Sequence, residues 1–356
     1  FLSIYDYYMY TGDSRFISQI YPRMQSMMDY VLGRTNKDGM VEGLTGDWVF
    51  VDWADGYMDK KGELAYEQVL FCKSLETMAL CSKLAGNPAD QTKYEALAAN
   101  LREKLIPVFW PSKLNHWYPW RVPYRIICSK SGANPNVSGV QQEQVTRYAN
   151  MFASFYNYLS ADQKAAIKTS VLLNDSIMKI STPYMRYYEL EALCAMGEQK
   201  TVMKEMKNYW GGMIREGATS FWEKYNPTEK GAQHLAMYGR AYGKSLCHAW
   251  GASPIYLLGK YYLGIQPTKA GYSEFAIAPN LGGLKWIEGT VPTPNGDIKL
   301  FMDTKTIKVT ATEGKGYLTF VSKSKPKASK GIIEKIDGKK YRLMIDGKEE
   351  VIVNYK

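Results

Sequence analysis

Through the first 263 residues, apolar side chains return every three or four positions, the spacing that gathers them on one face of a helix. Asp13 or Ser14 can cap a helix over 14–32 that stops at Gly33, and the residues before it share its period. Further helices are predicted over 64–84, ended by Gly86 and Asn87, and over 89–108, ended near Pro111. A polar and aromatic stretch with Pro119, Pro123 and Pro135 interrupts the pattern over 113–140. Helical spacing resumes over 141–159, 160–172, 183–196 and 199–210. Ser253 followed by Pro254 marks the start of a last helix, which Gly264 ends.

Beyond Ile265 the period changes to two. Short alternating strands are predicted over 275–277, 287–291, 298–302, 306–312, 316–321, 340–345 and 351–355, divided by Pro-Asn, Asn-Gly and Asp-Gly turns. The expected organisation is therefore a helical domain over 1–264 and a β domain over 265–356. Some helices are joined by tight turns and others by long loops rich in Gly and Trp, as in an (α/α)6 toroid with its working loops on one rim. About nine helical segments stand where a full toroid has twelve, and no initiator Met is present. The fold class expected is thus mainly α: a toroid incomplete at its N-terminus, followed by a small antiparallel β-sandwich.

Composition narrows the function classes. Hydrophobic residues make up 46% and charged residues 22%, a globular balance. No apolar run approaches the ~18 residues of a membrane span, and the first residues lack the basic and cleavage regions of a signal peptide. The net charge of +10 is dispersed. Much of it lies at Lys323, Lys325, Lys327, Lys330, Lys335, Lys339 and Lys340, alternating with strand-forming residues as on a solvated sheet face. No nucleic-acid partner is expected. Cys72, Cys81, Cys128, Cys194 and Cys247 are scattered without paired spacing, and the 3 histidines lie far apart, so neither disulfides nor a zinc site is expected. Nothing calls for a cofactor, and no feature specifies an oligomeric state.

The aromatic content is more informative: 28 Tyr and 9 Trp against 11 Phe. Rings with polar edges suit a cavity for sugars, whose C–H faces stack and whose hydroxyls hydrogen-bond; a Tyr-rich core is the other reading. Three loops could carry chemistry. Residues 45–55 place Asp47, Asp52 and Asp55 beside Trp48 and Trp53, either a sugar grip or a Trp-anchored connection with capping carboxylates. Residues 217–227 hold one carboxylate, Glu223, between Trp222 and Tyr225; it is a candidate acid or base, or a Glu satisfying backbone donors. Residues 245–251 bring His248 and Trp250 just before the last helix, as sugar contacts or as a structural histidine. His234 lies in a polar stretch without a motif.

Together these loops resemble glycoside hydrolase family 78, the α-L-rhamnosidases of Bacteroidetes type. GATSFWEKYNP (217–227) is similar to that family's GATT-x-WE-x-W motif, and TPYMRYYELEALCAMG (182–197) and YWGGM (209–213) to the preceding helices. GDW (46–48) and SLCHAWGASP (245–254) match two further motifs in order, and the resemblance covers roughly residues 1–300.

The resemblance implies an inverting hydrolase of terminal α-L-rhamnosides, acting on a rhamnose-containing carbohydrate and placed in the periplasm or outside the cell. In such chemistry an acid protonates the leaving oxygen while a carboxylate roughly 6.5–9.5 Å away activates water on the opposite face. Glu223 aligns with the base, and Trp48 and His248 with the rhamnose pocket. Asp47, Asp52, Trp53, Trp222 and Trp250 are the further candidate contacts. The family's acid motif, Arg-x-Glu, has no match here, so the acid is expected upstream and the 356-residue chain alone is expected to be inactive. Ser220 and Tyr225 depart from the family's Thr and Trp. A non-catalytic carbohydrate-binding fragment, or another (α/α)-barrel glycosidase or phosphorylase, is the competing expectation.

Overall fold

A computed structural model describes residues 1–43, 47, 50, 52, 62–110, 145–311 and 313–355. They fall into two compact units: Phe1–Leu2 with Phe16–Met196, and Ser3–Arg15 with Gly197–Lys356.

The first unit is helical. It takes in most of α2 (Ser14–Leu32), then α3 (Ala65–Leu84), α4 (Pro88–Phe109), α5 (Arg147–Phe155), α6 (Ala161–Ile167) and α7 (Pro183–Ala195). α3 packs on both α4 and α5, and α5 on α7. Its central place explains its composition. α3 buries residues all round, Cys72 and Cys81 among them, whereas α4 buries a single stripe of Tyr94, Ala98, Leu101, Leu105 and Phe109. Local chemistry sets the helix starts. The Asn87 side chain accepts from the Asp90 N–H (3.1 Å), and Ser160 and Gln163 form a reciprocal capping box. A buried ion pair, Arg147–Glu189, ties α5 to α7. The same guanidinium donates to the carbonyls of Leu172 (2.6 Å) and Asn174 (2.8 Å), so its donors are met without water.

The second unit holds most of α1 (Leu2–Thr11), then α8 (Gln199–Arg215) and α9 (Ser253–Leu257), which continues as a π-helical turn, Leu258–Tyr262. α8 is longer than its sequence suggests. The glycines at 211 and 212 read as a stop after Trp210, yet the helix runs on to Arg215. At Gly212 a β-carbon would stand 2.4 Å from the Tyr225 ring, so this glycine serves packing inside the helix.

Among the described residues ten strands follow: β1 (Ile265–Pro267), β2 (Glu274–Ile277), β3 (Trp286–Val291), β4 (Ile298–Asp303), β5 (Thr306–Thr310), β6 (Lys315–Val321), β7 (Lys327–Ala328), β8 (Ile333–Asp337), β9 (Lys340–Asp346) and β10 (Val351–Asn354). They make two five-stranded sheets, ordered β1-β2-β6-β9-β8 and β3-β4-β5-β10-β7. Every pairing is antiparallel except β2 with β6, where Phe275 lies opposite Gly316. β4 and β6 alternate buried with less buried positions, and the Phe320 ring of one sheet meets Tyr355 at the end of the other, 6.0 Å between centroids. β1, β7 and β8 lack the alternating signal: two are only two or three residues long, and β8 has no buried residue. The lysines from Lys323 to Lys340 are all exposed, as their alternation implies.

Candidate active site

In the second unit, α8 ends in a turn at Gly217 and the chain enters residues 221–225. Main-chain bonds tie this stretch to 245–248. The Glu223 N–H donates to the Ser245 carbonyl (2.9 Å), and the His248 N–H donates to the Phe221 carbonyl (2.7 Å). The two motifs that sequence reading separates by some twenty residues are thus neighbours.

Glu223 is 5% exposed. Its Oε1 accepts from the Tyr238 hydroxyl and its Oε2 from the Ser245 N–H (3.0 Å), while His248 Nδ1 stands 4.0 Å from Oε2. Both oxygens of this buried carboxyl group are thus met by donors, as a buried polar group requires. Each oxygen has a second lone-pair direction with which to take a proton from water. Trp250 Nε1 donates to the Glu223 carbonyl (3.0 Å), and its ring lies 4.3 Å from that of His248. Desolvation, the hydrogen bond to Glu223 and that residue's negative charge push the Tyr238 hydroxyl up to about 12.

Behind the carboxylate the loop is anchored by rings. Trp222 and Tyr225 are buried, the Tyr225 N–H donates to the Tyr209 hydroxyl (3.1 Å), and Trp210 Nε1 donates to the Gly251 carbonyl (2.8 Å). His234 fills the space next to both rings. Its nitrogens come within 3.5 Å of Glu229 Oε2 and 3.7 Å of Glu216 Oε2, and buried Lys244 donates to Glu229 (3.0 Å).

In the first unit, Asp47 pairs with Arg34. Asp52 is 1% exposed and sits at φ 70°, with Oδ1 accepting from the Thr182 hydroxyl (2.7 Å) and Oδ2 from the Tyr148 hydroxyl (2.9 Å). Burial pushes the Glu67 carboxyl, in the first turn of α3, up to about 7, and the charge of Asp47 adds to the rise. Trp48, Trp53 and Asp55 lie outside the described residues, as do His116 and Cys128. Cys72, Cys81 and Cys194 are buried free thiols and Cys247 is exposed. Among the described residues, no group of three His, Cys, Asp or Glu side chains is placed to hold a metal, and no helix is long and apolar enough to cross a membrane.

The model of the bacterial alpha-L-rhamnosidase 6 hairpin glycosidase domain matches residues 2–262. The chain belongs to this family. The C-terminal domain model of the bacterial alpha-L-rhamnosidases matches residues 264–310. Two curated relatives named alpha-L-rhamnosidase, from Alteromonas sp. and Formosa agariphila, are each 25% identical, over 83% and 82% of this chain. The chain spans only 30% and 29% of their lengths.

Solved rhamnosidase structures share the fold. That from Streptomyces avermitilis, complexed with L-rhamnose, superposes with a TM-score of 0.74 at 15% identity, covering 98% of this chain and 32% of the other. The structure from Dictyoglumus thermophilum gives 0.73 at 16%, covering 99% and 38%. A helical domain followed by two largely antiparallel sheets is thus the rhamnosidase architecture, as the periodicity and motifs predict.

Within this glycosidase family framework the structure adds residues that motif reading passes over. His234 is buried against the motif's own aromatic rings despite its polar surroundings in sequence. Tyr238 and Ser245 supply the donors to Glu223. The Tyr238-Gly239 pair could have signalled a tight turn, but nothing local says where its side chain ends.

Proposed function

We propose that this chain is the part of an α-L-rhamnosidase that carries its water-activating base, and that the whole enzyme removes terminal α-L-rhamnose with inversion. The observation that carries the reading is Glu223: a buried carboxylate fixed by two donors and flanked by His248 and Trp250, in a loop that resembles the family's base motif. Glu223 takes a proton from water as the water oxygen bonds to the anomeric carbon from the face opposite the leaving group. The glycosidic C–O bond breaks as a second carboxyl protonates the departing oxygen. That second carboxyl is assigned to a portion of the parent protein outside this chain, which is also why the chain by itself is expected to be inactive.

His248 and Trp250 are assigned to the sugar, the first as a hydrogen-bonding group and the second as a stacking face. Asp47 and Trp48 are assigned as sugar contacts by the resemblance of GDW (46–48) to the family motif, and Trp53 as an indole beside carboxylates in the same loop. Asp52, whose two oxygens are engaged by Thr182 and Tyr148, is assigned a structural role, and Trp222, buried against His234, a supporting one beside Glu223. Residues 1–264 form the catalytic portion and 265–356 its β companion, in a protein that works in the periplasm or outside the cell.

The test is Glu223→Gln in the full parent protein with an aryl α-L-rhamnoside. Turnover should fall by about a thousandfold or more while L-rhamnose binding by calorimetry is kept. Proton NMR of the wild-type reaction should show β-L-rhamnose forming first. A near-normal rate in the variant would remove the assignment. Rhamnose binding without turnover by the wild-type parent would favour a binding module.

A further inference from the structure

We propose that Tyr238 is the positioning residue for Glu223: its hydroxyl sets the angle at which the carboxylate faces the attacking water. The inference rests on Glu223 being the base.

The observation begins with the backbone. Met237 and Arg240 exchange both main-chain hydrogen bonds (3.0 Å each), closing a two-residue turn of Tyr238 and Gly239. Their φ values are 56° and 71°, the pair of left-handed conformations that such a turn demands. Glycine takes this conformation freely, whereas a tyrosine does so at a cost, because its β-carbon crowds its own carbonyl.

Burial of the ring does not repay that cost, since Tyr238 is 56% exposed. The turn leaves more than half of this residue in solvent. What the turn does accomplish is to deliver one hydroxyl to Glu223 Oε1.

The rest of the loop is built to hold that delivery. The Lys244 N–H donates to the Leu235 carbonyl (3.0 Å), closing the loop at its base, and a β-carbon at Gly243 would come within 2.2 Å of the Met237 carbonyl oxygen. The next residue after this clamp, Ser245, gives its N–H to the other oxygen of the same carboxylate (3.0 Å). One closed loop therefore holds both oxygens of Glu223, Oε1 through a side chain and Oε2 through the main chain.

Two donors at the two oxygens remove the freedom of the carboxyl group to rotate about its terminal torsion, a torsion with broad minima in a glutamate. One lone-pair direction is left on each oxygen to meet water. Near-attack geometry is sensitive to displacements of well under an ångström, so loss of one donor affects the chemical step more than sugar binding.

Tyr238→Phe in the full parent protein tests this, since phenylalanine keeps the ring and the turn and removes only the donor. On aryl α-L-rhamnosides kcat should fall ten- to a hundredfold while KM changes by less than threefold. The fall should be the same for good and poor aryl leaving groups, because water activation and not leaving-group protonation is impaired. The unfolding midpoint should stay within about 2 °C of wild type, which separates positioning from stability. Gly239→Ala, which strains the turn where a β-carbon meets no neighbour within 4 Å, should lower kcat in the same leaving-group-independent way.

A Tyr238→Phe enzyme with wild-type kcat, or one whose loss is confined to KM, overturns the proposal while leaving Glu223 as the base. A defect that vanishes with good leaving groups also overturns it, by placing Tyr238 on the acid side. If Glu223→Gln itself retains its rate, the functional reading falls and this inference with it.

Discussion

Tyr225 lies flat against His234, ring centroids 5.5 Å apart and planes within 7° of parallel. Tyr225 belongs to the same loop as Glu223, two residues on, so this stack is part of what keeps the carboxylate in place. Trp222 approaches the same imidazole to 5.9 Å between centroids, its plane tilted by 44°. The loop is thus wedged from behind by a histidine that is itself 3% exposed.

Removing the wedge should loosen the loop. His234→Ala leaves a cavity under two aromatic rings and two carboxylates without their neighbour, a loss of about 2–4 kcal/mol. His234→Phe keeps a ring for Tyr225 to stack on and should lose less. Urea unfolding of both variants checks the order; equal midpoints for His234→Ala and wild type would show that the stack carries no load.

Neighbouring glycines in α8 should respond in opposite ways. At Gly212 a β-carbon meets the Tyr225 ring at 2.4 Å, whereas at Gly211 the nearest atom is the mobile Arg215 guanidinium at 3.4 Å. Gly212→Ala should push Tyr225 out of place and cost about 1–3 kcal/mol. Gly211→Ala should be neutral or gain about 0.5–1 kcal/mol through helix propensity. Thermal unfolding of the pair, measured side by side, is sufficient, and a destabilised Gly211→Ala would contradict the packing account.

Asp52 should behave as a structural carboxylate. Thr182 and Tyr148 each donate to one of its oxygens in a dry setting. Asp52→Asn turns one acceptor into a donor, setting two donors against each other at an estimated cost of about 1–3 kcal/mol. A drop in the unfolding midpoint is the expected outcome; loss of activity with an unchanged midpoint would point instead to direct sugar contact.

Glu67 predicts a pH dependence with a defined sign. Burial raises its carboxyl from 4.5 to about 7. Between those values the folded protein keeps a proton that the unfolded chain has released. Stability therefore falls as pH rises through that window, and the loss is complete above about 7. Glu67→Gln should remove this slope and be more stable than wild type at pH 8 by on the order of 1–3 kcal/mol. Parallel stability curves from pH 4 to 8 would refute the assignment.

Much of this was legible in the chain itself. The predicted helix over 64–84 matches α3 to within a residue at its start, and the predicted helix over 183–196 matches α7 to within a residue at its end. Both carry strong signals: apolar residues recurring over some twenty positions in one, and Thr182-Pro183 in the other. The end of α8 was misread because the residue that explains Gly212 is Tyr225, thirteen positions on and beyond any helical period. β8 was missed because a strand with no buried residue has no alternation to read.

The site divides along the same line. The aromatic and carboxylate motifs around Glu223 and His248 can be read as a candidate sugar site, because stacking faces and carboxylates are residue types and need no coordinates. The partners of Glu223 could not be read. Tyr238 and Ser245 reach it through a turn and a main-chain bond that join separate segments. Most of the helices and strands, and the family motifs, are written in the chain, since periodicity and motifs are local. Which donors hold the carboxylate, and that a histidine in a polar stretch is buried against the rings of its loop, follow only from the folded arrangement. Contacts between distant segments leave no period along the chain.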